Sequence, residues 1–150
     1  ASRFEWFLEK ATEIGVTEII PLLCERTERQ HFRYDRMNGI LVSAMLQSQQ
    51  CWLPVLHEPV KFATLVNQSK QEQKFIAHCE EENDKVPLKI QNTKSAIQII
   101  YIGPEGDFTK QEIQLALNND CKPVSLGATR LRTETAGIVA AVLLTNSIVL

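Results

Sequence analysis

Short apolar segments rich in β-branched residues alternate along this chain with longer segments of helical periodicity. The strongest strand candidate spans residues 97–102 (IQIIYI), and further candidates are residues 17–24, 54–57, 74–79 and 123–126. Strands that alternate with helices favour a parallel sheet, because each crossover returns the chain in the same direction. We therefore predict an α/β fold, with a mostly parallel sheet covered by helices on both faces.

The predicted helices are bounded by recognisable start and stop signals. Residues 2–5 have capping-box spacing, and the helical apolar repeat that follows them ends at Gly15. Residues 109–112 form a second capping box, which opens a helix that runs to about Asn118. Other helices are predicted near residues 37–48, 62–66 and 133–150, and the polar segment 80–89 is predicted to be a surface loop.

The composition fits a single globular domain and limits its partners. The 150 residues suit one domain, and the formal net charge of −2 differs from the basic excess of a protein that grips RNA unaided. No uncharged apolar run reaches the roughly 20 residues that span a bilayer, and the first residues lack signal-peptide character. We therefore expect a cytoplasmic protein without a membrane segment.

The residues that most often bind metals show no ligand pattern. The chain has four cysteines, Cys24, Cys51, Cys79 and Cys121. They lie in apolar segments without the paired spacing of zinc ligands, so we expect buried free thiols and no bound metal. We interpret His57 and His78 as core or surface histidines, and Trp6 and Trp52 as packing residues.

A glycine-bearing loop, residues 102–108 (IGPEGDF), follows the strongest predicted strand. In an open parallel sheet, ligands bind beyond the carboxyl ends of the strands. Gly103 and Gly106 allow a tight turn and a close approach to a ligand, and Glu105 supplies a carboxylate at the rim. A purely structural turn would use the same residues, so this loop alone leaves both interpretations open.

A second glycine-bearing loop, residues 126–136 (LGATRLRTETA), leads from a short predicted strand into the last helix. The free N–H groups at a helix start favour an anion or another hydrogen-bond acceptor. A structural interpretation makes Thr133 the N-cap, with Glu134 favourable in the first turn. It does not account for Arg130 and Arg132, because the helix dipole disfavours cations at this end.

Together the two loops resemble the paired signature of the RsmE family, SPOUT-class methyltransferases of ribosomal RNA. Residues 5–27 (EWFLEKATEIGVTEIIPLLCERT) and the Gln47-Ser48 pair followed by Pro54 are similar to family segments too, so the resemblance spans essentially the whole chain. The chain departs from the family at Asp107, where a second glycine is common. It also lacks the arginine that often follows the Gln-Ser pair.

The resemblance implies an α/β domain with a deep trefoil knot near its carboxyl end, in which S-adenosylmethionine is bound. By position in the two loops, the cofactor-lining residues would be Ile102, Gly103, Glu105, Gly106, Leu126, Gly127, Leu131, Arg132, Thr135 and Ala136. Residues 1–150 would form the catalytic domain, and the family's amino-terminal β-barrel domain is absent from this chain. The resemblance also implies a homodimer, for which the apolar last helix is a reasonable interface.

The implied reaction is methylation of N3 of a uridine in 16S ribosomal RNA, free or within the small ribosomal subunit. Uracil N3 must lose a proton before it attacks a methyl group, so the site needs a proton acceptor or a cation. Our hypothesis is that Arg132 stabilises the developing charge, and that Glu134 or Glu105 is the nearby carboxylate. The basic segment that includes Arg26, Arg29, Arg33 and Arg36 either contacts the RNA backbone or is a solvated loop.

Three other functions remain open at this stage. The fold could act on another RNA, or it could serve as a non-catalytic dimeric RNA-binding or assembly module. It could also belong to a nucleotide-using transferase that holds phosphate at the first loop. Against the last, the chain has neither the Lys-Ser/Thr pair of a P-loop nor a GxGxxG motif.

Overall fold

The computed structural model describes residues 3–28, 31–79, 85–88, 97–127 and 129–145, in which helices and strands alternate. The helices are α1 (Arg3–Ile14), α2 (Tyr34–Ser48), α3 (Phe62–Gln68), α4 (Lys110–Asn118) and α5 (Thr133–Thr145). The strands are β1 (Glu18–Ile19), β2 (Leu22–Leu23), β3 (Val55–Leu56), β4 (Val60–Lys61), β5 (Gln73–Ala77), β6 (Val86–Pro87), β7 (Gln98–Ile102) and β8 (Lys122–Ser125).

The central sheet is parallel throughout its described part, as the sequence predicts. Its strand order is β6-β8-β5-β7, so β5 separates the two strands that lead into the glycine-bearing loops. Phe75 in β5 lies opposite Ile100 in β7 and Lys122 in β8. The shorter strands form two further parallel pairs, β1 with β3 and β2 with β4.

Helices cover both faces of the central sheet, which confirms the second part of the fold prediction. Ile76 packs in one buried cluster with Phe62 of α3 and Ile113 of α4. Phe75 is its neighbour in β5 and therefore points to the opposite face. There it packs in another cluster with Ala140 of α5.

Three buried aromatic side chains fix the position of the first loop. The ring centroids of Phe62 and Tyr101 lie 5.6 Å apart in an edge-to-face arrangement, and those of Phe62 and Phe108 lie 5.0 Å apart. The Tyr101 hydroxyl also hydrogen-bonds with Ser69 Oγ at 2.5 Å. Because Tyr101 and Phe108 flank residues 102–107, this cluster anchors both ends of the loop.

Helix α1 packs against both α2 and α5. Leu8 of α1 and Leu41 of α2 belong to one buried cluster, against which Ile138 of α5 also packs. Gly137 lets α5 approach α1 closely, because a β-carbon at this position would lie 2.7 Å from Cε2 of Phe7. A larger residue there would force the two helices apart.

Two predictions about strands are wrong. Residues 17–24 form two strands instead of one, with a break at Pro21, which has no N–H for a ladder. The half before Pro21 pairs with β3 and the half after it pairs with β4. The carbonyl of Pro21 accepts a hydrogen bond from Val60 N at 2.9 Å. In segment 80–89, Val86–Pro87 form β6 instead of a loop and pair with β8. Residues 80–84 and 89 lie outside the described residues.

The end of α1 agrees with its sequence signal, whereas α2 begins at Tyr34, three residues before the predicted start near residue 37. Helix α1 ends at Gly15, which adopts a left-handed conformation with φ of 102°. The first capping box includes Ser2, and the end of the last predicted helix covers residues 146–150, so both fall outside the described residues.

The two tryptophans that we interpret as packing residues are both exposed, and Trp52 contradicts that interpretation most clearly. Trp6 is 43% exposed and Trp52 is 75% exposed. The histidines fit the ordinary roles predicted for them: His78 is buried, and His57 forms an exposed pair with Glu18, with 3.0 Å between Nε2 and Oε2. Within the described ranges, no helix is long and apolar enough to cross a membrane, and no three side chains are grouped as metal ligands.

The four thiols divide into two classes, so the prediction that all are buried is wrong in part. Cys24 and Cys121 are buried, whereas Cys51 and Cys79 are exposed. Burial raises the pKa of the Cys24 thiol to about 12, and the nearby Glu112 carboxylate adds to the shift. Burial also raises the pKa of Cys121. Both buried thiols therefore stay protonated at pH 8.

We predict that a thiol reagent at pH 8 modifies Cys51 and Cys79 rapidly, because the thiolate is the reactive species and these two are accessible. Cys24 and Cys121 should react only after denaturation. Mass spectrometry of peptides from the labelled protein, with and without guanidinium, measures this directly. Rapid labelling of Cys24 in the folded protein would contradict the arrangement described here.

Candidate active site

The two glycine-bearing loops meet at one edge of the central sheet. Because β7, β5 and β8 are parallel, their carboxyl ends share this edge, and one loop follows β7 while the other follows β8. Thr133 at the start of α5 joins them, since its hydroxyl donates a hydrogen bond to the carbonyl oxygen of Gly103 at 2.9 Å. The loops are therefore in direct contact within one chain.

The backbone hydrogen bonds at the start of α5 identify its N-cap residue. The Arg132 carbonyl accepts the first hydrogen bond of α5, from Ala136 N at 2.8 Å, so Arg132 occupies the N-cap position. The structural interpretation of the second loop, in which Thr133 is the N-cap, is therefore not supported. The Thr133 hydroxyl holds the first loop instead.

The first loop is a tight turn closed by its own backbone. Asp107 N donates to the carbonyl oxygen of Pro104 at 2.8 Å. A β-carbon on Gly103 would lie 3.1 Å from Cδ2 of Phe108, which is fully buried. Gly103 therefore allows the aromatic anchor to pack beneath the turn.

The helix after the first loop begins as predicted. The backbone N–H of Glu112 donates to Thr109 Oγ1 at 3.2 Å, and the backbone N–H of Thr109 donates to Glu112 Oε1 at 2.9 Å. This confirms the capping box at residues 109–112. It fixes the direction in which the chain leaves the loop.

Asp107 holds a conformation that glycine adopts more easily. Its φ is 66°, in the left-handed region, where aspartate is among the better tolerated non-glycine residues. Its Oδ2 accepts a hydrogen bond from the backbone N–H of Cys79 at 3.0 Å. Because Cys79 follows β5, this bond ties the first loop to the strand between the two loops.

Arg3 brings together the two carboxylates that the sequence singled out. Its guanidinium pairs with Glu105 of the first loop, and its Nε lies 3.7 Å from Glu134 Oε1 in α5. The Glu105 side chain is 66% exposed, whereas that of Glu134 is 15% exposed. No local sequence pattern points to Arg3, because its partner Glu105 lies 102 positions away along the chain.

The predicted residues of the second loop differ in exposure. Arg132, Thr135 and Gly127 are exposed, Leu126 and Leu131 are half-buried, and Ala136 is buried. Gly127 has a φ of 151°, and a β-carbon there would meet no atom within 4 Å, so the space beside this residue is open. Ala128 lies outside the described residues.

A cleft of about 1360 Å³ runs from the first loop towards the basic segment. Ile102, Gly103, Glu105, Gly106 and Glu134 line it, whereas the other predicted site residues of the second loop do not border it. Its volume exceeds the roughly 300–1000 Å³ that is typical of small-ligand pockets. It is an open cleft and not an enclosed pocket.

The arginines of the basic segment are not equivalent. Arg36 forms a bidentate pair with Glu5, at 2.7 and 3.3 Å, and this pair lowers the pKa of Glu5 and raises that of Arg36. Arg26 Nη1 donates to the carbonyl oxygen of Gly106 at 2.7 Å. Arg33 is exposed and lines the cleft, and Arg29 lies outside the described residues.

Comparisons with known proteins agree on one family. A family profile described as an RNA methyltransferase domain matches residues 1–145. Ribosomal RNA small subunit methyltransferase E of Synechocystis sp. is 34% identical over 145 residues, which cover 93% of this chain and 48% of that protein. The chain spans about half the length of the curated relatives that it matches, 55% and 48% in two cases.

Solved structures have the same fold. The crystal structure of a probable rRNA-methyltransferase from Porphyromonas gingivalis is similar with a TM-score of 0.84 and 38% identity, covering 93% of this chain and 59% of that one. Ribosomal RNA small subunit methyltransferase E from Neisseria gonorrhoeae, in a crystal structure bound to S-adenosyl methionine, gives a TM-score of 0.83 and 30% identity. That match covers 94% of this chain and 59% of that one.

We predict that Asp107→Ala lowers the free energy of unfolding by about 1–3 kcal/mol. Alanine loses the hydrogen bond to Cys79 N, and it must adopt a left-handed backbone conformation that is unfavourable for it. Asp107→Gly loses the same bond but adopts the backbone freely, so its loss should be smaller. Urea denaturation of both variants, with Asp107→Asn as the matched control, measures the difference. An alanine variant as stable as the glycine variant would show that the backbone conformation is unimportant.

Proposed function

Because this chain belongs to the RNA methyltransferase domain family, we propose that it transfers a methyl group from S-adenosylmethionine to N3 of a uridine in 16S ribosomal RNA. Relatives named ribosomal RNA small subunit methyltransferase E support the choice of substrate. The single observation that carries the proposal is the contact between the two loops, through the Thr133 hydroxyl and the Gly103 carbonyl. It creates one site from two distant parts of the sequence.

The residues of this site fit an adenosine-containing cofactor. Gly127 borders open space, and the first N–H groups of α5 have no partner within the helix, as at any helix start. Such donors suit carboxylate, hydroxyl and ring-nitrogen acceptors. The proposed cofactor-binding residues are Ile102, Gly103, Glu105, Gly106, Leu126, Gly127, Leu131, Arg132, Thr135 and Ala136.

The proposed fold is of the SPOUT type, with a deep trefoil knot near the carboxyl end, and residues 1–150 form its catalytic domain. The course of the chain around β5 supports this. Strand β8 lies on one side of β5, whereas α5, which follows it, packs against β7 on the other side. The connecting residues therefore pass the loop at the end of β7, where Thr133 contacts Gly103.

In the proposed mechanism, the chain aligns the uracil and manages the proton on N3. When bound, S-adenosylmethionine supplies an electrophilic methyl group, so alignment of the acceptor nitrogen is the main requirement. Arg132, exposed at the start of α5, stabilises the negative charge that spreads onto the uracil carbonyl oxygens. Glu134 or Glu105 accepts the proton, and Arg3 holds both carboxylates at the site.

The proposed partner is 16S ribosomal RNA, free or in the small subunit. The cleft beside the first loop also borders Arg33 and Arg36, so a nucleotide in it can place its phosphates near basic side chains. The proposed RNA contacts are Arg26, Arg29, Arg33 and Arg36. Of the three that the structure describes, Arg26 and Arg36 make intramolecular bonds, whereas Arg33 is exposed. The target base must leave its stack to reach the site.

The proposed assembly is a homodimer that acts in the cytoplasm, where bacterial ribosomal RNA is found. Helix α5 supports a dimer interface, because it is apolar from Ala136 to Leu144 and its Val139 and Val142 are only half-buried within this chain. Apolar side chains of this kind are typical of the core of a homodimer interface, where they become buried on association.

Calorimetry and nucleoside analysis test the proposed function. S-adenosylhomocysteine should bind saturably, and ATP at the same concentration should not. Small ribosomal subunits incubated with the protein and S-adenosylmethionine should then contain 3-methyluridine in 16S RNA, measured by mass spectrometry of digested nucleosides. Binding of ATP instead would support a nucleotide-using transferase, and cofactor binding with methylation of a different RNA would correct the substrate.

We predict that Arg132→Ala lowers kcat about 10²–10³-fold, the usual effect of removing one group that stabilises transition-state charge. Binding of S-adenosylhomocysteine should remain measurable. The matched control is Arg130→Ala, two residues earlier and also exposed, which should retain most of the activity. Turnover by Arg132→Ala at the unaltered rate would remove Arg132 from the mechanism.

A further inference from the structure

The turn that carries Arg26 is closed by two hydrogen bonds between its ends. Within it, the backbone N–H of Cys24 donates to Thr27 Oγ1 at 2.9 Å, and Thr27 N donates to the Cys24 carbonyl at 3.1 Å. These reciprocal bonds close residues 24–27 into a compact unit. Arg26 therefore projects from a defined position, although its side chain is exposed.

This turn is docked against the first loop and the helix that follows it. Cys24 shares a buried cluster with Phe108, the aromatic anchor of the loop. The backbone N–H of Glu25 donates to Glu112 Oε2 at 3.1 Å, while Oε1 of the same carboxylate completes the capping box of α4. The turn, the loop and the helix start therefore form one connected structure.

Arg26 completes this docking at Gly106. Its Nη1 donates to the Gly106 carbonyl oxygen at 2.7 Å. A β-carbon on Gly106 would lie 3.2 Å from Cβ and 3.3 Å from Cδ of Arg26, which is closer than side chains normally pack. The φ of Gly106 is not in the left-handed region, so the glycine supplies space for the arginine stem and not an unusual backbone conformation.

We propose that Arg26 is a positioning residue for the cofactor, which fixes the first loop by holding the Gly106 carbonyl. This rests on the proposed function, because the loop is taken to bind S-adenosylmethionine. The hydrogen bond orients the peptide unit between Gly106, a predicted cofactor residue, and Asp107, whose backbone is in the left-handed region. Arg3 contacts the same loop through Glu105, so the loop is held by an arginine at each of two neighbouring residues.

This role differs from a contact with RNA phosphate, which the position of Arg26 in a basic segment also suggests. Loss of a phosphate contact weakens RNA binding, but it leaves the affinity for the cofactor unchanged when RNA is absent. A loop-positioning role affects the cofactor in the absence of RNA. Arg33, from the same segment and exposed, provides the matched comparison.

The test measures S-adenosylhomocysteine affinity by calorimetry, without RNA, for the wild type, Arg26→Met, Arg26→Lys and Arg33→Met. Methionine retains an apolar stem against Gly106 but has no donor, so affinity should fall about tenfold, the order expected for one hydrogen bond. Lysine retains a donor and should restore part of the loss. Arg33→Met should bind the cofactor product like the wild type, while its KM for RNA increases.

Amide hydrogen exchange in the ligand-free protein provides a second readout that does not depend on the cofactor. Arg26→Met should increase exchange at the Asp107 N–H, which closes the turn, and Arg33→Met should not. Equal free energies of unfolding for the two variants would exclude a general loss of stability.

The proposal would be overturned in favour of a phosphate contact if Arg26→Met kept the cofactor affinity and the amide exchange of the wild type. Only its KM for RNA would then be raised. If the wild type itself does not bind S-adenosylhomocysteine, the proposed function fails. The exchange measurement then still decides whether Arg26 positions the loop.

Discussion

The hydrogen bond from the Thr133 hydroxyl to the Gly103 carbonyl is the contact on which the site depends. It joins the loop after β7 to the start of α5, the helix that follows the loop after β8. Without it, the two glycine-bearing loops would follow strands that β5 separates, with no side-chain hydrogen bond between them in the described residues. It also explains why a threonine that sequence rules assign to a helix cap serves a different purpose.

The loop after β7 is held from several directions, and each contact has a distinct physical origin. Phe108 anchors it by burial, Asp107 by a hydrogen bond to the end of β5, and Arg26 by a bond to its backbone. A loop fixed before its ligand arrives loses little conformational entropy on binding. The arrangement therefore suits a site that binds a flexible cofactor in one conformation.

Much of the fold could be predicted from the sequence, because periodicity and capping signals are local. The alternation of strands and helices, the parallel sheet and the capping box at Thr109 are examples. The break at Pro21 could not be placed, because pairing of its two halves depends on distant strands. The strand at Val86–Pro87 was hidden by the polar residues around it. The exposed Trp52 shows that residue type alone does not fix burial.

The site was predicted less completely, because its contacts connect residues that are far apart in sequence. The two loops were found from their glycines, and their contact confirms that they belong together. Arg3 and the bond from Arg26 to Gly106 had no local signal. Asp107 had one, since it stands where the resembling family commonly has glycine, and the left-handed backbone there gives the physical reason.

The close approach of Gly137 to Phe7 has a mechanical consequence. Close-packed interiors resist compression, so α1 and α5 cannot slide independently at this contact. Arg3 belongs to α1 and Glu134 to α5, so the pair of helices carries both members of this ion pair as one body. The registry of these two helices therefore sets the distance between the Arg3 guanidinium and the Glu134 carboxylate.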